Sequence, residues 1–143
     1  MLYLSANYEK KNKFGARNKE GICIQLPNSL VDGEGDVDEG YVFFSMCMKD
    51  AETFLKLLNI SVTNLLDCSD TLQSGVWLSI EYSYHEALFI VYVPTSFMEH
   101  GDDYDSAVVS LNVSQAVCLR TLLHIATTEK VTVRGFCKEN KSE

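Results

Sequence analysis

Two segments of the chain, 65 residues apart, repeat one pattern of apolar, small and polar residues. Residues 43–63 align with residues 108–128 without a gap, and six of the 21 aligned positions are identical. The identical pairs are Ser45–Ser110, Ala51–Ala116, Leu57–Leu122, Leu58–Leu123, Ile60–Ile125 and Thr63–Thr128. Extended backwards, the same offset places Ile24 on Phe89. We therefore predict an internal duplication, in which the chain folds as two copies of one supersecondary unit.

Hydrophobic periodicity predicts seven strands and two helices. The predicted strands cover residues 2–8, 21–26, 41–48, 75–83, 86–93, 107–113 and 130–137. The first helix is expected to begin near Lys49 or Asp50, with Asp50 as its N-cap. The second is expected over residues 115–126, with Ser114 as its cap. Residues 67–74 are predicted to form a turn.

The resulting order is βββα, βββα and a final strand. Short links between neighbouring strands favour antiparallel pairing, and each helix needs a sheet face to cover its apolar stripe. We predict an α+β fold: a mainly antiparallel sheet of about six or seven strands with two helices on one face. Residues 1–143 should form a single domain, with residues 1–70 as the first repeat half and residues 71–143 as the second half with the C-terminal strand.

Composition limits the class of function. The 12 basic and 20 acidic side chains give a net charge of −8, which disfavours direct binding of nucleic acid and favours basic protein partners. No apolar run approaches the length of a membrane span, and no secretion signal is visible. The five cysteines are odd in number and lack a CxxC spacing, which is typical of reduced thiols. We therefore expect a cytoplasmic protein with no membrane contact.

The densest polar segment is the first acidic loop, which carries Asp32, Glu34, Asp36, Asp38 and Glu39. Its alternating carboxylates and glycines invite comparison with a calcium loop. The EF-hand pattern fails, however, because Val37 stands where glycine is needed and Phe43 where glutamate is needed. No metal is predicted here. Two interpretations remain, a solvated connector and an acidic patch for a basic protein.

A second acidic loop lies at a similar place in the other half and carries Glu99, Asp102, Asp103 and Asp105. A transition metal needs at least two convergent His or Cys ligands, and His100 alone does not meet that requirement.

Aromatic residues surround this second loop. We interpret Trp77 and Tyr92 as core residues. Phe97 and Tyr104 are loop aromatics beside aspartates, and we expect them to be exposed as anchors of an interface with an acidic rim.

No catalytic or cofactor-binding motif is predicted. The loop glycines Gly33 and Gly35 lie among carboxylates, which would repel a phosphate. Cys118 and His124 are six positions apart on one helix and would not face each other. The remaining cysteines are scattered and are typical of small apolar core residues.

The leading hypothesis is a non-enzymatic acidic protein-binding module that occupies the basic surface of a nuclease or another nucleic-acid-binding protein. One form of it is an inhibitor of the toxin-immunity or phage anti-defence type. The predicted partner-binding residues are Asp32, Glu34, Asp36, Asp38, Glu39, Phe97, Glu99, Asp102, Asp103, Tyr104 and Asp105. Two alternatives stay open: a small-molecule or enzyme site between the halves near His100, Asp102 and Asp103, and a structural subunit of a larger assembly.

Overall fold

Both halves of the protein contain two paired strands, a 3-10 helix, a further strand and a long helix, in that order. The computed structural model describes residues 3–10, 20–32, 40–73, 75–98 and 106–136. The first half contains β1 (Tyr3–Glu9), β2 (Gly21–Pro27), a 3-10 helix (Asn28–Leu30), β3 (Val31–Asp32), β4 (Tyr41–Cys47) and α1 (Met48–Asn64). The second contains β5 (Cys68–Thr71), β6 (Trp77–Ser83), β7 (Leu88–Pro94), a 3-10 helix (Thr95–Phe97), β8 (Ser106–Asn112), α2 (Val113–Glu129) and β9 (Val133–Phe136).

The nine described strands form two antiparallel sheets, with the orders β4-β2-β1-β9 and β3-β8-β7-β6-β5. The predicted α+β class, antiparallel pairing and two helices are confirmed, whereas the single sheet expected from the sequence is divided into two sheets of four and five strands. The number of strands exceeds the expected six or seven, because the segments that form β3 and β5 were predicted to be a loop and a turn. Both are short and polar, so neither shows an apolar alternation, and each is defined by its neighbours β8 and β6.

The helices connect the two sheets. Helix α1 leads from β4, in the first sheet, to β5 at the edge of the second. Helix α2 leads from β8, in the second sheet, to β9 at the edge of the first. The short strand that follows each helix therefore joins a different sheet from the strand that precedes the helix, β5 the second sheet and β9 the first. The predicted boundary after residue 70 falls inside β5, and the single-domain assignment stays a prediction.

The 65-residue offset holds for β4 and β8, for the two helices, and for β5 and β9. The helices begin at Met48 and Val113, and their C-caps, Leu65 and Lys130, both have left-handed backbone angles with φ of 55° and 56°. In β2 and β7 the offset is 67, because each strand ends at a proline followed by a 3-10 helix. By structural position Ile24 therefore corresponds to Val91 rather than Phe89.

Both helix starts lie earlier than predicted. Cys47 is the N-cap of α1, not Asp50, and Asn112 is the N-cap of α2, not Ser114. The Asn112 side chain accepts the Gln115 N–H at 2.8 Å, and the Gln115 side chain accepts the Asn112 N–H at 2.9 Å. This reciprocal pair satisfies two backbone donors that the end of a helix otherwise leaves unpaired.

The hydrophobic core lies between the helices and one face of each sheet. Its largest fully buried side chains are Phe44, Phe89, Leu4, Ile22, Ile24, Met46, Leu58, Leu78, Ile80, Leu111, Leu119 and Leu123. The predicted apolar stripes of both helices are buried, and α1 and α2 contact each other.

Candidate functional site

The structure describes only part of the predicted partner-binding set. Asp32 is exposed at the end of β3, and Phe97 closes the second 3-10 helix. The rest of the set and His100 lie outside the described residues, so their roles stay predictions, and so does the small-molecule alternative. These residues are Glu34, Asp36, Asp38, Glu39, Glu99, Asp102, Asp103, Tyr104 and Asp105.

Phe97 is a core residue rather than an exposed anchor. Its exposed fraction is 6 %, and it occupies the place that Leu30 occupies in the first half. The two segments, Pro-Asn-Ser-Leu and Pro-Thr-Ser-Phe, have matching sequences as well as matching 3-10 helices. The expectation that Phe97 would be exposed was therefore wrong, because an offset of 65 instead of 67 hid its apolar counterpart.

Trp77, in contrast, was expected in the core and is 62 % exposed. In β6 the buried side chains are Leu78 and Ile80, so Trp77 points to the opposite face of the sheet. The sequence already indicated that Trp77 is exposed, because Val76, Leu78 and Ile80 alternate along the strand and Trp77 lies between them, on the opposite face. An exposed tryptophan offers a partner a large apolar ring with a polar N–H at its edge.

A row of side chains crosses this outer face of the second sheet. Tyr92 of β7 lies opposite Ser79 of β6 on one side and Val108 of β8 on the other. Val108 in turn lies opposite Asp32 of β3, so Asp32 and Tyr92 share the face. The Tyr92 hydroxyl donates to Glu81 Oε1 at 3.2 Å, and burial, followed by this hydrogen bond, raises the pKa of Tyr92.

We call the surface formed by Trp77, Tyr92, Glu81 and Asp32 the Trp77 face. It combines aromatic side chains with carboxylates on one side of a sheet, as the hypothesis of aromatic anchors with an acidic rim requires. Trp77 and Glu81 are both exposed at their positions in β6. Sequence reasoning identified Asp32 but assigned Trp77 and Tyr92 to the core.

The ends of the two acidic segments meet beside this face. Asp32, where the first segment begins, lies opposite Val108. Ser106, where the second segment ends, is two residues from Val108 in the same strand, a distance of about 7 Å. The start of one acidic segment therefore adjoins the end of the other at the N-terminal end of β8.

The outer face of the first sheet carries a different aromatic group. The ring of Tyr3 lies 4.9 Å from that of Tyr41 and 5.9 Å from that of Phe136, centroid to centroid. The Arg134 guanidinium lies 4.6 Å from the centre of the Tyr3 ring, and Gln25 Nε2 donates to the Tyr3 hydroxyl at 3.0 Å. The sequence did not predict this aromatic group, because it depends on the pairing of β9 with β1, which are at opposite ends of the chain.

Asp50 is the buried carboxylate of the described residues, and its role is structural. It lies in the first turn of α1 with an exposed fraction of 5 %. Its Oδ1 accepts the backbone N–H of Gln73 at 2.9 Å, which ties the β5–β6 connection to the helix. Gln115 occupies the corresponding position in α2 and is also buried.

The described thiols and imidazoles are distributed over several elements of the fold. Cys23, Cys47, Cys68 and Cys118 carry thiols rather than disulfides. Burial raises the pKa of the first three, which disfavours the reactive thiolate. Within the described ranges no three His, Cys, Asp or Glu side chains are grouped to hold a metal ion. His85 and His124 are exposed.

The described part of the chain contains no helix long and apolar enough to cross a membrane. No protein-family model, no curated protein and no solved structure matches this chain significantly. The assignment of function therefore depends on the surface itself.

Proposed function

We propose that this chain is a non-enzymatic binding protein that attaches its Trp77 face to a basic surface of another protein. The observation that carries the proposal is the exposure of Trp77 on a sheet face that also carries the carboxylates of Glu81 and Asp32. Tryptophan is enriched among the residues that dominate binding energy, and such residues are most effective when surrounded by groups that exclude water. A strand also holds a side chain more rigidly than a loop does, which lowers the entropy cost of binding.

Charge supports a basic partner. The net charge is −8, and the two acidic segments, residues 32–39 and 99–105, contain nine of the 20 acidic side chains. Both segments adjoin the Trp77 face at Asp32 and Ser106. Carboxylates placed around an apolar anchor steer a basic partner towards it and penalise an acidic one.

The specific form of the proposal is an inhibitor that takes the place of nucleic acid on a nuclease or a related protein. Such partners carry basic grooves that bind phosphates, and a dense set of carboxylates can compete for the same lysines and arginines. The cytoplasmic compartment fits the thiol state of the four described cysteines.

The test is an affinity capture with four forms of the chain. Wild type, Trp77→Ala and a doubly neutralised form, Asp32→Asn with Glu81→Gln, are compared with the control Phe136→Ala. Phe136 is a suitable control because it is 63 % exposed, almost as much as Trp77, but lies on the other sheet. The captured protein is then purified, and its association and dissociation rates are measured at low and high salt.

We expect a partner with a basic surface that Phe136→Ala still captures. Trp77→Ala should weaken its affinity by at least tenfold, mainly through faster dissociation. The neutralised form should associate more slowly and with a smaller salt dependence. A partner bound equally by wild type and Trp77→Ala would contradict the proposed surface, and binding unaffected by salt would contradict the electrostatic part.

A further inference from the structure

A second apolar surface lies at the C-terminal end of α1, away from Trp77. It consists of Leu65, Leu66 and Tyr84, whose exposed fractions are 37 %, 53 % and 73 %. The Tyr84 hydroxyl donates to the Leu65 carbonyl oxygen at 3.3 Å, so the three residues form one group. Tyr84 follows the last residue of β6 and Trp77 is the first, which separates them by about 23 Å along the strand. We call this group the α1-end surface.

The other half of the protein provides an internal control. Lys130 corresponds to Leu65, and both residues have a left-handed backbone. Each also donates a C-cap hydrogen bond from its backbone N–H, Leu65 to the Ser61 carbonyl oxygen and Lys130 to the Ala126 carbonyl oxygen. Lys130 Nζ forms an ion pair with Glu20 Oε1 at 3.1 Å, so the surface at the end of α2 is polar. The fold therefore accepts a charged residue at this junction, and the leucine is not needed to build it.

The backbone at Leu65 reinforces this point. Its φ of 55° lies in the left-handed region, where a side chain is unfavourable and glycine is the usual residue. Leu65 thus combines an unfavourable backbone with an exposed apolar side chain. Lys130 has the same backbone angle, so the two halves differ here in the side chain alone.

The charges around the surface indicate what it binds. Asp67 follows Leu66 directly, Glu86 lies in the same turn as Tyr84, and both are exposed. A second copy of this chain would bring the same carboxylates against each other. A segment with apolar side chains flanked by lysine or arginine would satisfy both the apolar centre and the acidic surroundings.

We propose that Leu65, Leu66 and Tyr84 form a docking surface for a cationic amphipathic segment of a partner protein. The segment buries its apolar side chains against the two leucines and the tyrosine ring, and its cations face Asp67 and Glu86. This inference is tested separately from the Trp77 face, because the α1-end surface contains none of the residues that define that face.

The test uses a synthetic amphipathic peptide of leucine and lysine and a scrambled peptide of the same composition. Both are titrated into wild type, Leu65→Gly, Leu66→Ser and Lys130→Gly by calorimetry. Lys130→Gly is the matched control, because it makes the same backbone change at the corresponding position. The melting temperature of each variant is measured alongside, together with sedimentation of wild type and Leu66→Ser.

We expect wild type and Lys130→Gly to bind the amphipathic peptide at least fivefold more tightly than Leu65→Gly or Leu66→Ser do. Leu65→Gly should keep or raise the melting temperature while it loses affinity, which a purely structural leucine would not do. No binding, equal binding of the scrambled peptide, or equal affinity of all variants would overturn the proposal. Self-association of wild type that Leu66→Ser abolishes would overturn it in favour of a second copy.

Discussion

Replacing Gly135 by alanine should destabilise the protein, and removing the Cys118 sulfur should reverse that effect. A methyl group at Gly135 would lie 2.8 Å from Cys118 Sγ but at ordinary distances, 3.5 and 3.6 Å, from the Leu122 methyls. Overpacking of this kind costs about 1–3 kcal/mol. The lower chain entropy of unfolded alanine offsets about 0.4–1 kcal/mol of this. The net loss should be about 1 kcal/mol, or about 3–5 °C in melting temperature.

The assay is a double-mutant cycle of wild type, Gly135→Ala, Cys118→Ala and the double variant in urea. With the sulfur gone, the added methyl should be neutral or stabilising, so the coupling energy should be at least about 1 kcal/mol. Gly75→Ala is the control, because Gly75 has a φ of +93° and no atom within 4 Å of an added methyl. Its cost should not depend on Cys118. Equal costs of Gly135→Ala in both backgrounds would refute the close approach of α2 to β9.

Three further predictions concern the cap of α2, the Asp50 hydrogen bond and one exposed ion pair. Asn112→Ala should cost about 1 kcal/mol in urea denaturation, and an unchanged midpoint would contradict its capping role. Asp50→Ala should cost about 1.5–3 kcal/mol, because it removes the hydrogen bond that the buried carboxylate accepts from the Gln73 N–H; a neutral result would contradict that contact. The hydroxyl of Tyr8, followed by the Lys130 ammonium, holds the pKa of Glu20 below its ordinary value. The stability from this contact is present above the unfolded pKa of Glu20 and is lost as pH falls through its lower folded pKa. Tyr8→Phe should raise the pKa of Glu20 in an NMR titration, and an unchanged value would contradict the assignment.

Local periodicity predicted much of the fold, because the buried faces of helices and strands leave a repeating signal in the sequence. Leu57 and Leu58 in α1, and Leu122 and Leu123 in α2, show this signal and are buried as expected. The strand β5 could not be predicted, since its residues are polar. Its place is fixed from outside, by pairing with β6 and by the Asp67 side chain, which accepts the Tyr82 N–H at 2.8 Å.

The candidate site was predicted less well, because the exposure of an aromatic residue depends on what lies next to it in space. Trp77 was misassigned although its phase in β6 was readable, and Phe97 although its counterpart Leu30 was present. The adjacency of Asp32 and Ser106 follows from the pairing of β3 with β8, which joins residues far apart in sequence. No local pattern contains that information.

The fluorescence of Trp77, the single tryptophan of the chain, tests the proposed function most directly. Because its ring is 62 % exposed, its emission should be that of a solvated indole and should be readily quenched by acrylamide. On titration with the captured partner, the account predicts a shift of the emission to shorter wavelength and protection from quenching. The association rate read from this signal should fall as salt rises. A saturated complex with unchanged Trp77 emission and quenching would contradict the claim that this face binds the partner.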